Sequence, residues 1–264
     1  MFVAVIVCLL VLEAKGCGAD PGQHDANLDV KLIPKLRFYY SGLEHYTELP
    51  LEAADGILAT SWYNTTRTTL LFVHGFTEQA DGSGGDAVAG AFLRRGDCNV
   101  ALLDWQGLAA AEAPSLADSY LNWAAPTQER YEYLGVRLAG ALTRLSAAGL
   151  DLERTQLVGH SLGAHVLGLA GNALRLQGVL LPWITALDPA SAAFEGKPAA
   201  GRLHAGSAAV VVAVHSDPGG YGARRAMGTA DFWPNYRVGA VQPGCPKSRG
   251  QRFSPEGKSG HHFF

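Results

Sequence analysis

Charge is scarce in this chain: Asp, Glu, Lys and Arg make up only 17% of its 264 residues, against 48% hydrophobic ones. Basic charge in particular has no excess, with 21 Lys and Arg against 24 Asp and Glu and a net charge of −3. No positive field is present to gather polyanions, so nucleic acid is set aside as a partner. Long apolar runs are also missing. The longest, Phe2 to Leu12, is shorter than the ~20 residues of a bilayer-spanning helix, so no transmembrane segment is expected. That run is followed by Ala14 and Gly16 ahead of Cys17, and it reads as a secretory signal peptide over residues 1–16. Cysteine is rare: Cys8 lies inside the signal segment, which leaves Cys17, Cys98 and Cys245. Three is odd, so one internal disulfide at most can form and one thiol is left over. Repeats and low-complexity linkers are absent too, and residues 17–264 are expected to fold as a single domain.

What is present is a rhythm of short apolar runs and amphipathic stretches. "KLRFYY" (35–40), "TTLLFVHGF" (68–76, ending in a glycine loop), "CNVALLDW" (98–105), "TQLVGH" (155–160), "WITALD" (183–188) and "AAVVVAVHSD" (208–217) read as strands. Between Pro126 and Gly149, the residues Tyr131, Leu134, Leu138, Ala141, Leu142 and Leu145 make one helical stripe. A second helix is expected over "SLGAHVLGLAGNAL" (161–174). Strands alternating with helices indicate an α/β fold with a mainly parallel sheet, and such sheets place their sites at the carboxyl ends of the strands. Asn64-Thr65-Thr66, between two of these strands, is an N-glycosylation sequon and agrees with a secreted, extracellular product.

Chemistry concentrates in Gly-His-Ser-Leu-Gly, residues 159–163. A strand feeding a tight glycine-flanked turn and then a helix presents Ser161 at the top of the sheet, as a nucleophile elbow does. A serine hydroxyl needs a base to take its proton and a carboxylate to orient that base. Asp188, at the end of "ITALD" and followed by Pro189, is the candidate acid. Four histidines follow it, His204, His215, His261 and His262, and the residues alone leave the base open among them. His160 and His165, which flank the serine, read as packing or helix-surface residues. The loop "HGF" (74–76) reads as half of an oxyanion hole, with the backbone N–H groups of Phe76 and Leu162 as donors.

The stretches "LLFVHGFTE", "NVALLDW", "LVGHSLGAHVLGLAG", "ITALDPA", "VHSDPGGYG…MGTADFWPN" and "VQPGC" together resemble the animal pancreatic-lipase family, over residues ~35–245 and most closely its insect secreted lipases and phospholipases A1. The resemblance implies an α/β-hydrolase fold, a Ser161–Asp188–His triad, oxyanion donors at Phe76 and Leu162, and a lipid ester met at a lipid–water interface. It implies no cofactor. The family's catalytic histidine follows a cysteine that pairs with the cysteine of "QPGC". On that pattern His261 is the base, and Cys245 lacks its partner because Ser259 stands at the cysteine position, which leaves Cys17 and Cys98 as the candidate disulfide pair. His262 is the alternative base, since neighbours on an extended segment point to opposite sides. Beyond Phe264 the family continues into a helix, so the C-terminal part reads as truncated and the activity as open to impairment.

Vertebrate members hold a calcium ion partly through two aspartates whose matching positions here are His204 and Ser207, a poor set for a hard cation, so no metal is expected. The segment 246–260, equivalent to the lid, is short, which within the family goes with phospholipase A1 activity. The alternative reading is a catalytically weak or inactive lipid-binding or yolk-type storage protein on the same scaffold.

Overall fold

The apolar runs of the sequence become the middle of a single sheet in the computed structural model, which describes residues 33–76, 78–109, 128–235 and 242–243. Its strands are β1 (Lys35–Gly42), β2 (His45–Pro50), β3 (Thr68–Val73), β4 (Cys98–Asp104), β5 (Thr155–His160), β6 (Trp183–Leu187), β7 (Val210–Val214) and β8 (Ala230–Phe232). They lie in the order β2-β1-β4-β3-β5-β6-β7-β8. β1 runs antiparallel to both of its neighbours, and every pairing from β4 to β8 is parallel. The helices are α1 (Ser83–Arg95), the single turn α2 (Gln106–Ala109), α3 (Gln128–Ala147) and α4 (Leu162–Leu176). This is an α/β-hydrolase architecture, as expected.

Two-residue alternation divides the core. Leu70, Phe72, Val100 and Leu102 pack on one face of the sheet with Ala89 of α1, while Leu71, Val73, Ala101 and Leu103 pack on the other with α3 and α4. Because both faces are covered, the central strands read as unbroken apolar runs. All six residues of the predicted α3 stripe are at most 2% exposed. Each fully buried leucine there contributes about 1.5–3 kcal/mol of transfer free energy. Among the described residues no helix is long and apolar enough to cross a membrane.

The fold departs from the sequence reading at several places, among them β8 and the turn α2, neither of which was expected. β2 and the 3-10 helix Leu51–Ala59, both near the sheet edge, were not expected. Nor was α1, whose Gly84, Gly85 and Gly90 dilute its helical signal; it is closed by Gly96 in the left-handed region (φ 72°), with Arg94 and Arg95 in the last turn facing the negative end of the dipole. β7 ends at Val214 rather than Asp217, because the N–H groups of Ser216 and Asp217 turn to the carboxylate of Asp188 instead of to a neighbouring strand.

Candidate active site

Ser161 is the junction between β5 and α4, with φ 52° and ψ −114°. A non-glycine residue in such a region stores about 1–3 kcal/mol of strain and persists only if its surroundings hold it. They do: the Ser161 N–H donates to the carbonyl of Leu187 (2.9 Å), and the Ser161 carbonyl accepts from the N–H of Ala190 (3.3 Å). The helix behind lies hard against β3. A methyl group at Gly163 would fall 2.5 Å from the carbonyl oxygen of His74 and nearer still to that of Val73, so only glycine lets α4 start there. Leu162 opens α4, and N–H groups of a first helical turn have no intrahelical acceptor and carry the positive end of the dipole.

The "HGF" loop rises beside the serine. A Cβ on Gly75 would lie 3.0 Å from the Cβ of Ser161 and 3.2 Å from Nδ1 of His160, so the loop backbone rests directly on the elbow. His74 is fully buried and stacked on Trp105, with ring centroids 5.3 Å apart. Its Nδ1 donates to the Gly75 carbonyl (2.9 Å), and its Nε2 accepts from the Trp105 N–H (3.4 Å). One donating and one accepting nitrogen describe a neutral ring, and burial accordingly holds the His74 imidazole below the usual histidine range. The Gly75 N–H donates to Oε2 of Glu78 (2.7 Å), and the other oxygen of that carboxylate lies 2.8 Å from Nδ1 of His160. Glu78 was not singled out from the sequence, although "HGFTE" contains it.

Asp188 stands at the next strand's end. The pairing of His160 with Leu187 puts Ser161 and Asp188 at successive positions of adjoining strands. Its φ is 41° and it is fully buried. Its N–H donates to the Val214 carbonyl (2.7 Å), and its Oδ1 accepts from the N–H groups of Ser216 (2.9 Å) and Asp217 (3.0 Å). Two backbone donors on one carboxylate oxygen favour the ionised form and fix its direction. Gly222 closes over it: a Cβ there would lie 2.7 Å from Cγ of Asp188.

The described histidines sort by their partners. His215 is fully buried and stacked on Trp233 (4.6 Å), with Nδ1 3.0 Å from the Ala223 carbonyl oxygen and Nε2 2.8 Å from Oδ1 of Asp231. With both ring nitrogens committed elsewhere it is not a base for Ser161. It staples the loop that presents Ser216 and Asp217 to Asp188. His204 belongs to a turn near Asn172, about 16 Å down α4 from Ser161 at 1.5 Å per residue. His165 is not on the helix surface. It is fully buried, stacked on Phe194 (3.7 Å), donates from Nε2 to the Ala190 carbonyl (2.9 Å) and accepts at Nδ1 from the Leu203 N–H (3.2 Å). Burial pushes its pKa down to about 3. His160 is likewise a buried packing residue, on the Glu78 side of the elbow. His261 and His262 lie outside the described residues, as do Cys17 and Cys245. Cys98 is a buried thiol donating to the Phe92 carbonyl (3.6 Å).

In the segment matching the family's calcium loop, the amide nitrogen of Asn172 donates towards the carbonyls of Ala199 (3.3 Å), Ala200 (3.2 Å) and Arg202 (3.1 Å), and its oxygen accepts from the Ser207 hydroxyl (2.9 Å). Nδ1 of His204 is taken by the Gly206 N–H (3.0 Å). Those carbonyls already face an N–H donor and the local side chains bring no carboxylate, so the residues do not fit calcium. At the sequon, Asn64 is exposed, and its Oδ1 accepts from the N–H (2.9 Å) and hydroxyl (2.7 Å) of Thr66.

Sequence comparison with known proteins finds relatives over most of the chain. The protein-family model described as Lipase matches residues 41–256. Lipase member H-B of Xenopus laevis is 35% identical over 197 residues, covering 74% of this chain and 39% of its own. Pancreatic triacylglycerol lipase of Mus musculus is 30% identical over 254 residues, covering 88% and 50%, and phospholipase A1 member A of Bos taurus is 33% identical over 202 residues, covering 76% and 40%. The chain thus spans half or less of the length of these relatives. A strained serine between strand and helix, an acid at the next strand's end and a matched sequence over most of the chain lead to one statement: this chain belongs to the pancreatic-lipase family.

Proposed function

We propose that the chain is a secreted hydrolase of lipid carboxylic esters, of lipase or phospholipase A1 type, acting through an acyl-enzyme on Ser161. The observation that carries the reading is the Ser161 backbone at φ 52°, wedged between the Gly75 loop and the strand end that bears Asp188. Ser161 Oγ attacks the ester carbonyl while the histidine base, His261 by resemblance with His262 as alternative, takes its proton. The N–H groups of Phe76 and Leu162 receive the oxyanion. The base then protonates the leaving alcohol, water attacks the acyl-enzyme, and the fatty acid departs. Asp188, held by two backbone donors, steadies the imidazolium. Secretion is supported by the N-terminal apolar run and by the exposed sequon, which would carry a glycan at Asn64; Asn64→Gln would remove a glycosidase-sensitive mass shift from protein made in secretory cells.

A fluorophosphonate probe tests the nucleophile. The full chain should label and Ser161→Ala should not; equal labelling of both, or of neither, overturns the proposal and leaves a lipid-binding or storage protein. His261→Ala should lose activity by up to roughly 10⁶-fold, the size seen when subtilisin loses its histidine, while His262→Ala retains it. Phosphatidylcholine against a triglyceride then sorts the substrate class.

A further inference from the structure

Glu78 is a charged side chain drawn into the site without a part in the proposed chemistry. Its Oε2 accepts the Gly75 N–H at 2.7 Å, and its Oε1 lies 2.8 Å from Nδ1 of His160. The carboxylate also faces the start of α1: a Cβ on Gly84, in the first turn, would lie 3.7 Å from Oε1 and 3.8 Å from Oε2. The positive end of a helix dipole favours a carboxylate in its ionised form. An ionised carboxylate only accepts, which puts the proton of His160 on Nδ1.

Both of these partners are immediate neighbours of reacting groups. His160 precedes Ser161, and Gly75 precedes Phe76, the proposed oxyanion donor. The carbonyl of Gly75 and the N–H of Phe76 belong to one planar peptide unit, so whatever orients the first aims the second in the opposite direction. That carbonyl is held by Nδ1 of His74 (2.9 Å), while the N–H on the other side of Gly75 is held by Glu78. Gly75 has no side chain to restrict its own dihedrals, so these two bonds do the restricting.

We infer that Glu78 is a positioning residue: its carboxylate fixes the His74–Gly75 peptide against the nucleophile turn, while His74 holds the next peptide by its carbonyl, so that the two together set the Gly75 dihedrals and aim the Phe76 N–H where the oxyanion develops. The inference rests on the reading of Ser161 as the nucleophile. Loss of a whole oxyanion donor costs about 10²–10³ in rate, and a donor left in place but loosely aimed costs part of that.

The test uses the full chain with a soluble p-nitrophenyl ester and a fluorophosphonate. Wild type, Ser161→Ala, Glu78→Ala and Glu78→Gln are compared, with melting curves to establish folding. Glu78→Ala should lower kcat and the phosphonylation rate about 10- to 100-fold, with KM within about 3-fold of wild type. Glu78→Gln keeps an oxygen for the Gly75 N–H and should recover to within about 5-fold of wild type. Were Glu78→Ala not to fold, Glu78→Asp takes its place, keeping a charge near α1 but withdrawing it from Gly75 by one methylene, and the same kcat-only loss is expected. An unchanged kcat, a loss confined to KM, or an equal loss in the Gln and Ala variants overturns the role of Glu78 while leaving Ser161 standing. An unlabelled wild type overturns both.

Discussion

His165 donates from Nε2 to the Ala190 carbonyl and accepts at Nδ1 from the Leu203 N–H, which is possible only while the ring is neutral. Fully buried against Phe194, it has a pKa of about 3 in the folded protein, against 6.5 when exposed. Between those values the unfolded chain binds a proton that the folded chain refuses, so stability rises with pH across the window and is lost on acidification below 6.5. The slope is about 1.4 kcal/mol per pH unit, and lowering the pH from 7 to 5 should remove about 2 kcal/mol through this residue alone. His74, also held low by burial, pulls in the same direction. The comparison is urea unfolding at pH 7 and pH 5 of wild type and His165→Gln. Glutamine can still donate and accept there but cannot take up a proton. The variant should start less stable at pH 7 by about 1–2 kcal/mol, from imperfect hydrogen-bond geometry. It should then lose about 2 kcal/mol less than wild type on acidification, because contributions from His74 and the carboxylates are common to both proteins. Parallel losses in the two proteins would show that His165 does not titrate as its burial demands.

Three further perturbations address the site itself. Gly222→Ala should lower ester hydrolysis by between ~10- and ~10⁴-fold, the upper figure being the loss seen when subtilisin's aspartate is removed, because the methyl displaces the Asp188 carboxylate; the readout is kcat on a soluble ester, with the circular dichroism spectrum unchanged. Gly163→Ala should destabilise by ~3 kcal/mol or more, since its methyl meets the backbone carbonyls of Val73 and His74, and a fall in Tm of roughly 6–12 °C checks it. His215→Gln breaks a buried ring–carboxylate contact with Asp231 and should cost about 1–3 kcal/mol in chemical denaturation, with activity falling as the loop that presents Ser216 and Asp217 to Asp188 loosens.

The middle of the fold was legible because its signals are local. The apolar runs of β3 to β6 and the stripe of α3 state their periodicity within a few residues, and the Gly-His-Ser-Leu-Gly turn announces both Ser161 and the helix behind it. β2 and α1 were not legible: the first is a half-exposed edge strand with no apolar run, and the second hides its periodicity under glycines. The true end of β7 was hidden for another reason. Its last residues look like strand, but their N–H groups serve a carboxylate some thirty positions earlier in the chain, and no local pattern records that. The same holds for His165, whose helical neighbours suggest a surface position until the Phe194 segment is seen folding over it. Glu78 stood in a recognised motif, yet one of its two contacts in the site, Nδ1 of His160, is more than eighty residues downstream.

Gly75, Gly163 and Gly222 share a property that bears on how relatives of this chain are judged. Each is a space rather than a group, kept empty so that backbone can press on Ser161, on the start of α4, or on the carboxylate of Asp188. An added methyl would overlap backbone at Gly163 or the Asp188 carboxylate at Gly222, and would crowd Ser161 at Gly75, while leaving the serine and the aspartate in place in the sequence. Counting the three proposed catalytic residues would still score such a protein as a hydrolase. An inventory of what a lipase-like site contains therefore needs a second column, for the atoms it must not contain.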